Sequence, residues 1–386
     1  MTENKPTLPA AHSQLQQLRT ELKAAFVGRD AEIDGLLQAT MARTHLLLLG
    51  PPGTAKSLLT QVFADALGGS YFQRLLTAFS APEEVFGPYD LSALDAGRYE
   101  RAVQGYMPTA TTAFLDEVFK ANSGVLNALL TMLNEREYDN GTSRMQCPLQ
   151  VCVGASNEYP EDSSLEALYD RFQLRYWTEY VPTRSDRLRL MTCADPASMV
   201  TAKLAPAQVA ELQQAARQVV VPPAVLEALL DVAEALAQEH GMVVSDRRLR
   251  ASVKLVQARA LLNGRMVARK LDLQVLSDSV WHRHEQRPAV HATVLACAAP
   301  ALAKAQQVAD AARETLDSLG ENAPTEAMEK AMQQLLGQEG EIRDLDVDAE
   351  EAEDVRALRA QVAGYRKALA RRVALQNPAL TSALRR

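Results

Sequence analysis

The chain has 386 residues, more than one hydrophobic core normally serves, so two or three domains are expected. Apolar residues make up 47%, which is ordinary for a globular protein, and aromatic residues make up 5%, which is low. The formal net charge of −7 argues against the surface as a whole being a nucleic-acid footprint, leaving room only for a local basic patch.

Cys147, Cys152, Cys193 and Cys297 show no metal-ligand spacing and read as reduced thiols of a cytoplasmic protein. Met1-Thr2-Glu3-Asn4-Lys5 lacks the apolar core of a signal peptide, and no run approaches the ~18 apolar residues of a membrane span. Residues 1–11 are polar and expected to fray. Leu15, Leu18, Leu22 and Phe26 then fall at helical spacing. Val27-Gly28-Arg29-Asp30 breaks that helix and starts another through Ile33, Leu36, Leu37 and Met41. Such a turn either lines a pocket beside the next element or is a plain helix–helix connection.

The apolar run His45-Leu46-Leu47-Leu48-Leu49 leads into Gly50-Pro51-Pro52-Gly53-Thr54-Ala55-Lys56-Ser57, and a helix follows from Leu58. Strand, glycine-rich loop and helix are the context that the phosphate-binding motif G-x-x-x-x-G-K-[ST] requires. Gly50 and Gly53 allow close backbone approach, Lys56 would reach the β- and γ-phosphates of ATP, and Ser57 would hold Mg²⁺. Ala55 departs from the strict motif, which has Gly there.

A strand is expected over 71–77, and Ser80-Ala81-Pro82-Glu83 reads as a capping box that opens a helix. Residues 89–108, with Gly97 and Gly105, read as a hairpin-like insertion, either a solvent loop or a substrate- or partner-facing element. Ala113-Phe114-Leu115-Asp116-Glu117 is a strand ending in two carboxylates. Asp116 would bind Mg²⁺ and Glu117 would polarise the attacking water; the plain alternative is a helix N-cap. A helix is expected over 125–133, then a hairpin turn at Asp139-Asn140-Gly141 with a return strand over 149–153. Asn157, at the end of that strand, is placed either to orient water or to make an Asx-turn.

Beyond Val181-Pro182 the pattern is helical. Pro222-Pro223 precedes an apolar helix, and Ser245 caps another that runs to Leu262 and stops at Gly264. His282 and His284 read as solvated side chains diverging on a helix. One Ala-rich helix is expected over 289–319 and a second over 325–336. Residues 339–354 hold nine acids and one base, and residues 355–386 hold eight bases and no acid. Such blocks suit helices folded back on one another; the alternative is a basic docking tail.

Four stretches carry a family resemblance: Gly50 to Ser57, the run Phe114-Leu115-Asp116-Glu117-Val118-Phe119-Lys120-Ala121-Asn122, the run Leu129-Leu130-Thr131-Met132-Leu133-Asn134-Glu135-Arg136, and Ser245-Asp246-Arg247-Arg248. With Asn157, they make residues 20–290 or so resemble an AAA+ ATPase of the MoxR family, in its RavA-type branch. The resemblance implies an α/β P-loop core over 1–183, an all-α lid over 184–287 and an all-α extension over 288–386. It implies that Val27 and Gly28 lie on the adenine side, that residues 50–58 including Pro51, Pro52, Thr54 and Leu58 hold the nucleotide, and that Asn157 is sensor 1. It also implies an arginine finger at Arg171, with Arg175 as runner-up, and sensor 2 at Arg247, with Arg248 as understudy. A finger given in trans implies a homo-hexameric ring. The family's partners include von Willebrand A-domain proteins, and its uses include Rubisco activation. The small partner-binding domain of RavA-type proteins has no room in residues 337–348. A nucleic-acid motor and a nucleotide-gated scaffold are the competing readings; the acidic balance opposes the first, and Glu117 with Arg171 opposes the second.

Overall fold

The computed structural model describes residues 7–160, 162, 165–320, 323–348 and 351–376. Part of the expected frayed start, and the end of the basic tail, lie outside these residues. Within them, residues 10 and 11 are anchored rather than frayed: Ala11 is buried and the Ala10 N–H donates to Glu211 Oε1 at 2.8 Å. The chain divides into two compact units. One holds the described residues up to Pro223 with Val244–Ala268 and Val275–Arg287; the other holds Ala224–Val243, Arg269–Gln274 and the described residues from Pro288 on.

The first unit is built on a five-stranded parallel sheet. Its strands are β1 (His45–Leu49), β2 (Tyr71–Leu75), β3 (Thr112–Asp116), β6 (Val151–Ser156) and β7 (Phe172–Trp177), in the order β2-β3-β6-β1-β7. The numbering leaves room for a separate hairpin of β4 (Glu137–Asn140) and β5 (Ser143–Gln146). Every residue of β1 and β6 is buried. That burial explains their unbroken apolar runs, because a parallel sheet is covered on both faces. Helices His12–Ala25, Asp30–Ala42, Lys56–Leu67, Ser123–Glu135, Pro206–Gln218 and Asp246–Leu262 belong to the same unit. The expected α/β sheet with flanking helices is present.

Four local expectations need correction. The return strand of the hairpin is β5, not residues 149–153. Gly141, at φ +66°, permits a tight turn, so Asn140 pairs at once with Ser143, and the apolar run after Leu149 is instead spent on core strand β6. The helix expected from Ser80 is Pro82–Phe86 with Ala81 as its cap: the Glu84 carboxylate accepts the Ala81 N–H at 3.1 Å, while Ser80 Oγ accepts that of Thr77. His282 and His284 do not share a helix. His282 is exposed, but His284 is half-buried, stacked on Trp177 with ring centroids 3.9 Å apart and bonded to the Tyr159 hydroxyl. The Ala-rich stretch is two helices, Arg287–Ala298 and Pro300–Asp317, because Pro300 cannot continue a helix and starts a new one.

The second unit is helical. Pro300–Asp317, Thr325–Arg343 and Ala352–Gln376 share a core that includes Leu302, Val308, Met328, Leu335, Val362 and Leu369. The helix expected to end near 336 runs on to Arg343, since Gly337 and Gly340 weaken a helix without ending it. The opposite charge blocks do face each other: Arg366 Nε lies 2.9 Å from Glu339 Oε2. Buried Glu351 turns its carboxylate to the Leu302 N–H at 2.7 Å, satisfying one free donor at the start of Pro300–Asp317. Among the described residues, no helix is long and apolar enough to cross a membrane.

Candidate functional site

β1, β3 and β6 all end at the carboxyl edge of the sheet, and β6 lies between the other two. The loop after β1 crosses this edge. Gly50 has φ +132°, and a Cβ there would lie 2.2 Å from the Thr178 carbonyl oxygen, so only glycine fits. Gly53 has φ +75°, and its missing Cβ would meet nothing within 4 Å, so the loop is open on the side a ligand would enter. Ala55 holds φ 65° and ψ 21°, the left-handed conformation that explains why the strict motif has Gly here. Helix Lys56–Leu67 starts immediately, with the unpaired N–H groups of its first turn at the loop.

The Lys56 ammonium lies within this loop. It donates to the carbonyls of Gly50 at 2.8 Å and Pro51 at 2.9 Å and lies 3.5 Å from Asn157 Oδ1. Burial lowers its pKa, while Asp116 and Glu117 oppose that shift. Across the same edge, Asn157 Nδ2 donates to Glu117 Oε1 at 2.8 Å, and the Glu117 N–H donates to Asp116 Oδ1 at 3.1 Å. Glu117 itself is left-handed at φ 50°, an uncommon state for a non-glycine residue that turns its side chain out of the strand line. Lys56, Asn157, Glu117 and Asp116 are thus brought together from three strand ends. Ser57 sits half-buried in the first helical turn beside Lys56. No cluster of three His, Cys, Asp or Glu side chains suited to a metal exists among the described residues. A divalent cation here therefore needs oxygens from a nucleotide as well as those of Ser57 and Asp116, and an open cradle with a lysine and two carboxylates fits such a pair.

A cavity of about 330 Å³ adjoins the loop. Val27, Gly53, Thr54, Ala55 and Leu58 line it, so the Val27-Gly28 turn is more than a connector. Gly28, at φ +71°, makes the turn but is not among the lining residues. Sequence reasoning missed Arg29, Tyr180, Leu190, Cys193 and Asp195, which also line it. Buried Arg29 bonds the carbonyls of Thr54 at 3.1 Å and Glu179 at 2.6 Å, bracing the loop from behind, and Tyr180 donates to the Pro52 carbonyl at 3.1 Å. Arg29 is adjacent to the predicted turn, which was its one signal; Tyr180 sits just before the apparent end of the core at Val181-Pro182, Leu190, Cys193 and Asp195 lie beyond it, and none of these four carries a signal.

The arginines separate clearly. Arg175 is fully buried, bonds the carbonyls of Trp281 and Tyr169, and lies over the Tyr169 ring at 3.8 Å; burial, with Arg248 nearby, lowers its pKa to about 9. It is a strut and cannot reach outward, so it is withdrawn as a finger. Arg248 is buried too, paired with Asp170 at 2.8 Å and bonded to the Ser279 carbonyl, and is withdrawn as sensor 2. Arg171 ends helix Glu166–Arg171 half-buried, with a buried Nε that has no hydrogen-bond partner. Arg247 is exposed in the first turn of Asp246–Leu262 and is not among the residues lining the cavity.

The family model that matches residues 13–214 is described as the MoxR domain in the MoxR-vWA-beta-propeller ternary systems. The chain belongs to the MoxR family of AAA+ ATPases. An AAA lid domain model matches residues 224–294. An uncharacterized protein of Methanocaldococcus jannaschii is 39% identical over 69% of this chain and 70% of its own length. The chaperone MoxR1 of Mycobacterium tuberculosis is 25% identical over 70% of this chain and 75% of its own. A solved protein from Cytophaga hutchinsonii, assigned as an ATPase, superposes with a TM-score of 0.61 at 19% identity, over 74% of this chain and 94% of its own. At that identity the likeness concerns the fold alone. The matching MoxR model describes ternary systems rather than the RavA-type branch, so that narrower expectation is not supported.

Proposed function

We propose that this MoxR ATPase hydrolyses ATP with Mg²⁺ in a homo-hexameric ring and uses the cycle to remodel, activate or mature a protein client through a von Willebrand A-domain partner. The observation that carries the reading is the convergence of Lys56, Asn157 and Glu117 beside an open phosphate cradle. Residues 50–58 would hold the phosphates, with the Lys56 ammonium leaving its loop carbonyls for the β- and γ-phosphate oxygens. Ser57 and Asp116 would hold the cation, which supplies charge neutralisation at the phosphates. Glu117, freed from Asn157, would accept a proton from the attacking water, and Asn157 would orient that water. Val27 and Leu58 would pack against the base, and Arg247 would contact a phosphate from the helix it begins.

Arg171 would act on the neighbouring subunit's nucleotide. Its half-exposed place at the end of Glu166–Arg171 supports this role, as does the internal engagement of the alternative, Arg175. The description of the matching model supports the von Willebrand A-domain partner. The test is ATPase rate per subunit against protein concentration, with and without that partner. Specific activity should rise with concentration and rise again with partner. A low rate, flat in both, would contradict the reading. Glu117→Gln should bind ATP, turn over at most about a thousandth as fast, and hold the ring together.

A further inference from the structure

A second cavity, of about 390 Å³, belongs to the same unit but lies at the other end of the sheet. Arg43 precedes β1, and Arg136 bonds the Leu149 carbonyl just before β6, so both mark the amino-terminal strand edge. The polar lining is Arg43, Arg136, Arg217, Lys254 and Gln257: four cations and no carboxylate. They come from four separate segments. Arg43 and Arg136 are left-handed C-caps of Asp30–Ala42 and Ser123–Glu135, Arg217 lies in the last turn of Pro206–Gln218, and Lys254 lies within Asp246–Leu262.

Arg136 is fixed by two backbone carbonyls, those of Leu149 at 2.9 Å and Arg43 at 2.6 Å. The side chains of Arg43, Arg217 and Lys254 make no hydrogen bond or ion pair among the described residues. Burial lowers the pKa of Lys254, and Arg250, Arg136, Arg217 and Arg43 lower it further, with no acid in opposition. Arg43 is lowered by burial and by Arg217. Like charges gathered in a concavity disfavour one another, and the fold keeps them there uncompensated. An anion removes that cost and gains charge-assisted hydrogen bonds, with guanidinium forks matched to phosphoryl oxygens.

We propose that this cavity binds a small phosphorylated anion carrying two or more negative charges, at a site separate from the nucleotide cradle. Four cations suit more than a single charge, and a half-open cavity of about 390 Å³, with Arg217 and Lys254 exposed at it, suits a compact molecule rather than a polymer.

The probes are inorganic pyrophosphate and fructose 1,6-bisphosphate, titrated calorimetrically into the full chain already saturated with Mg·ADP. At least one should bind saturably and more weakly as salt rises. The Arg217→Gln/Lys254→Gln pair should weaken that binding about tenfold or more, whereas Arg98→Gln, a surface cation elsewhere, should not. Tighter binding of the sugar bisphosphate would assign an organic ligand, and tighter binding of pyrophosphate an inorganic one. Without added anion, the paired variant should melt no lower than its parent, because only repulsion is removed. Failure of both probes to bind, unchanged binding in the paired variant, or a paired variant that melts well below its parent would overturn the proposal.

Discussion

At the scale of single residues, two arginines four positions apart have opposite fates. Arg175 starts its side chain inside the sheet, and its guanidinium satisfies the Trp281 and Tyr169 carbonyls. Arg175→Met should therefore destabilise the protein by about 2–4 kcal/mol, through orphaned acceptors and lost packing. Arg171→Met should leave stability within about 1 kcal/mol and ATP affinity nearly intact, yet reduce turnover about a thousandfold. Thermal melts with single-turnover kinetics on both variants would separate the two roles; equal turnover losses at matched stability would sink the distinction. Ala55 offers a second residue-scale check. A methyl is tolerated at φ 65°, but a β-branched side chain is not. Ala55→Gly should bind ATP like the parent, while Ala55→Val should weaken nucleotide binding about tenfold or more as the loop opens. Equal affinities for the two variants would show that the loop's conformation is not limiting.

At the scale of elements, β1 is held at its start by a histidine. His45 Nδ1 accepts the Cys152 N–H at 3.0 Å and Nε2 donates to the Leu133 carbonyl at 2.7 Å, which needs a neutral ring. Complete burial, with Arg136 nearby, lowers its pKa to about 3 from the ordinary 6.5. The folded state thus refuses a proton that the unfolded chain accepts. The stabilisation is whole above pH 6.5 and is lost as pH falls from there toward 3, by about 2 kcal/mol at pH 5. Urea midpoints should fall across that window, and His45→Gln, which keeps a donor and an acceptor, should flatten the fall. An unchanged acid slope in the variant would mean that other groups govern it.

Elements also show what was legible in the sequence. The loop at Gly50 to Ser57 and the carboxylates at Asp116 and Glu117 could be read because their chemistry demands fixed residue types at fixed spacing. The Ala-rich helices could be read as helical but not divided until Pro300 was taken as a start rather than a continuation. The arginines were ambiguous because a charged residue's sequence neighbours do not reveal whether its guanidinium turns inward. The cavity wall around Leu190, Cys193 and Asp195 was invisible, since those residues join the loop only through tertiary packing.

At the scale of the whole molecule, the proposed active site is divided between subunits, so that one chain supplies Glu117 and its neighbour Arg171. A ring with a shared site links turnover to assembly, which gives a client or partner a way to control the motor by stabilising the ring. The acidic and basic blocks of the second unit, joined at Glu339 and Arg366, serve its own packing. They therefore do not by themselves call for an acidic partner.

The shared site is tested most directly by mixing two inactive variants, Glu117→Gln and Arg171→Ala, in equal amounts and measuring ATPase rate. Random assembly pairs an intact Glu117 with a neighbour's intact Arg171 at about a quarter of interfaces, so the mixture should regain about that share of parental activity. A mixture that forms rings and stays as inactive as its components would contradict a finger given in trans.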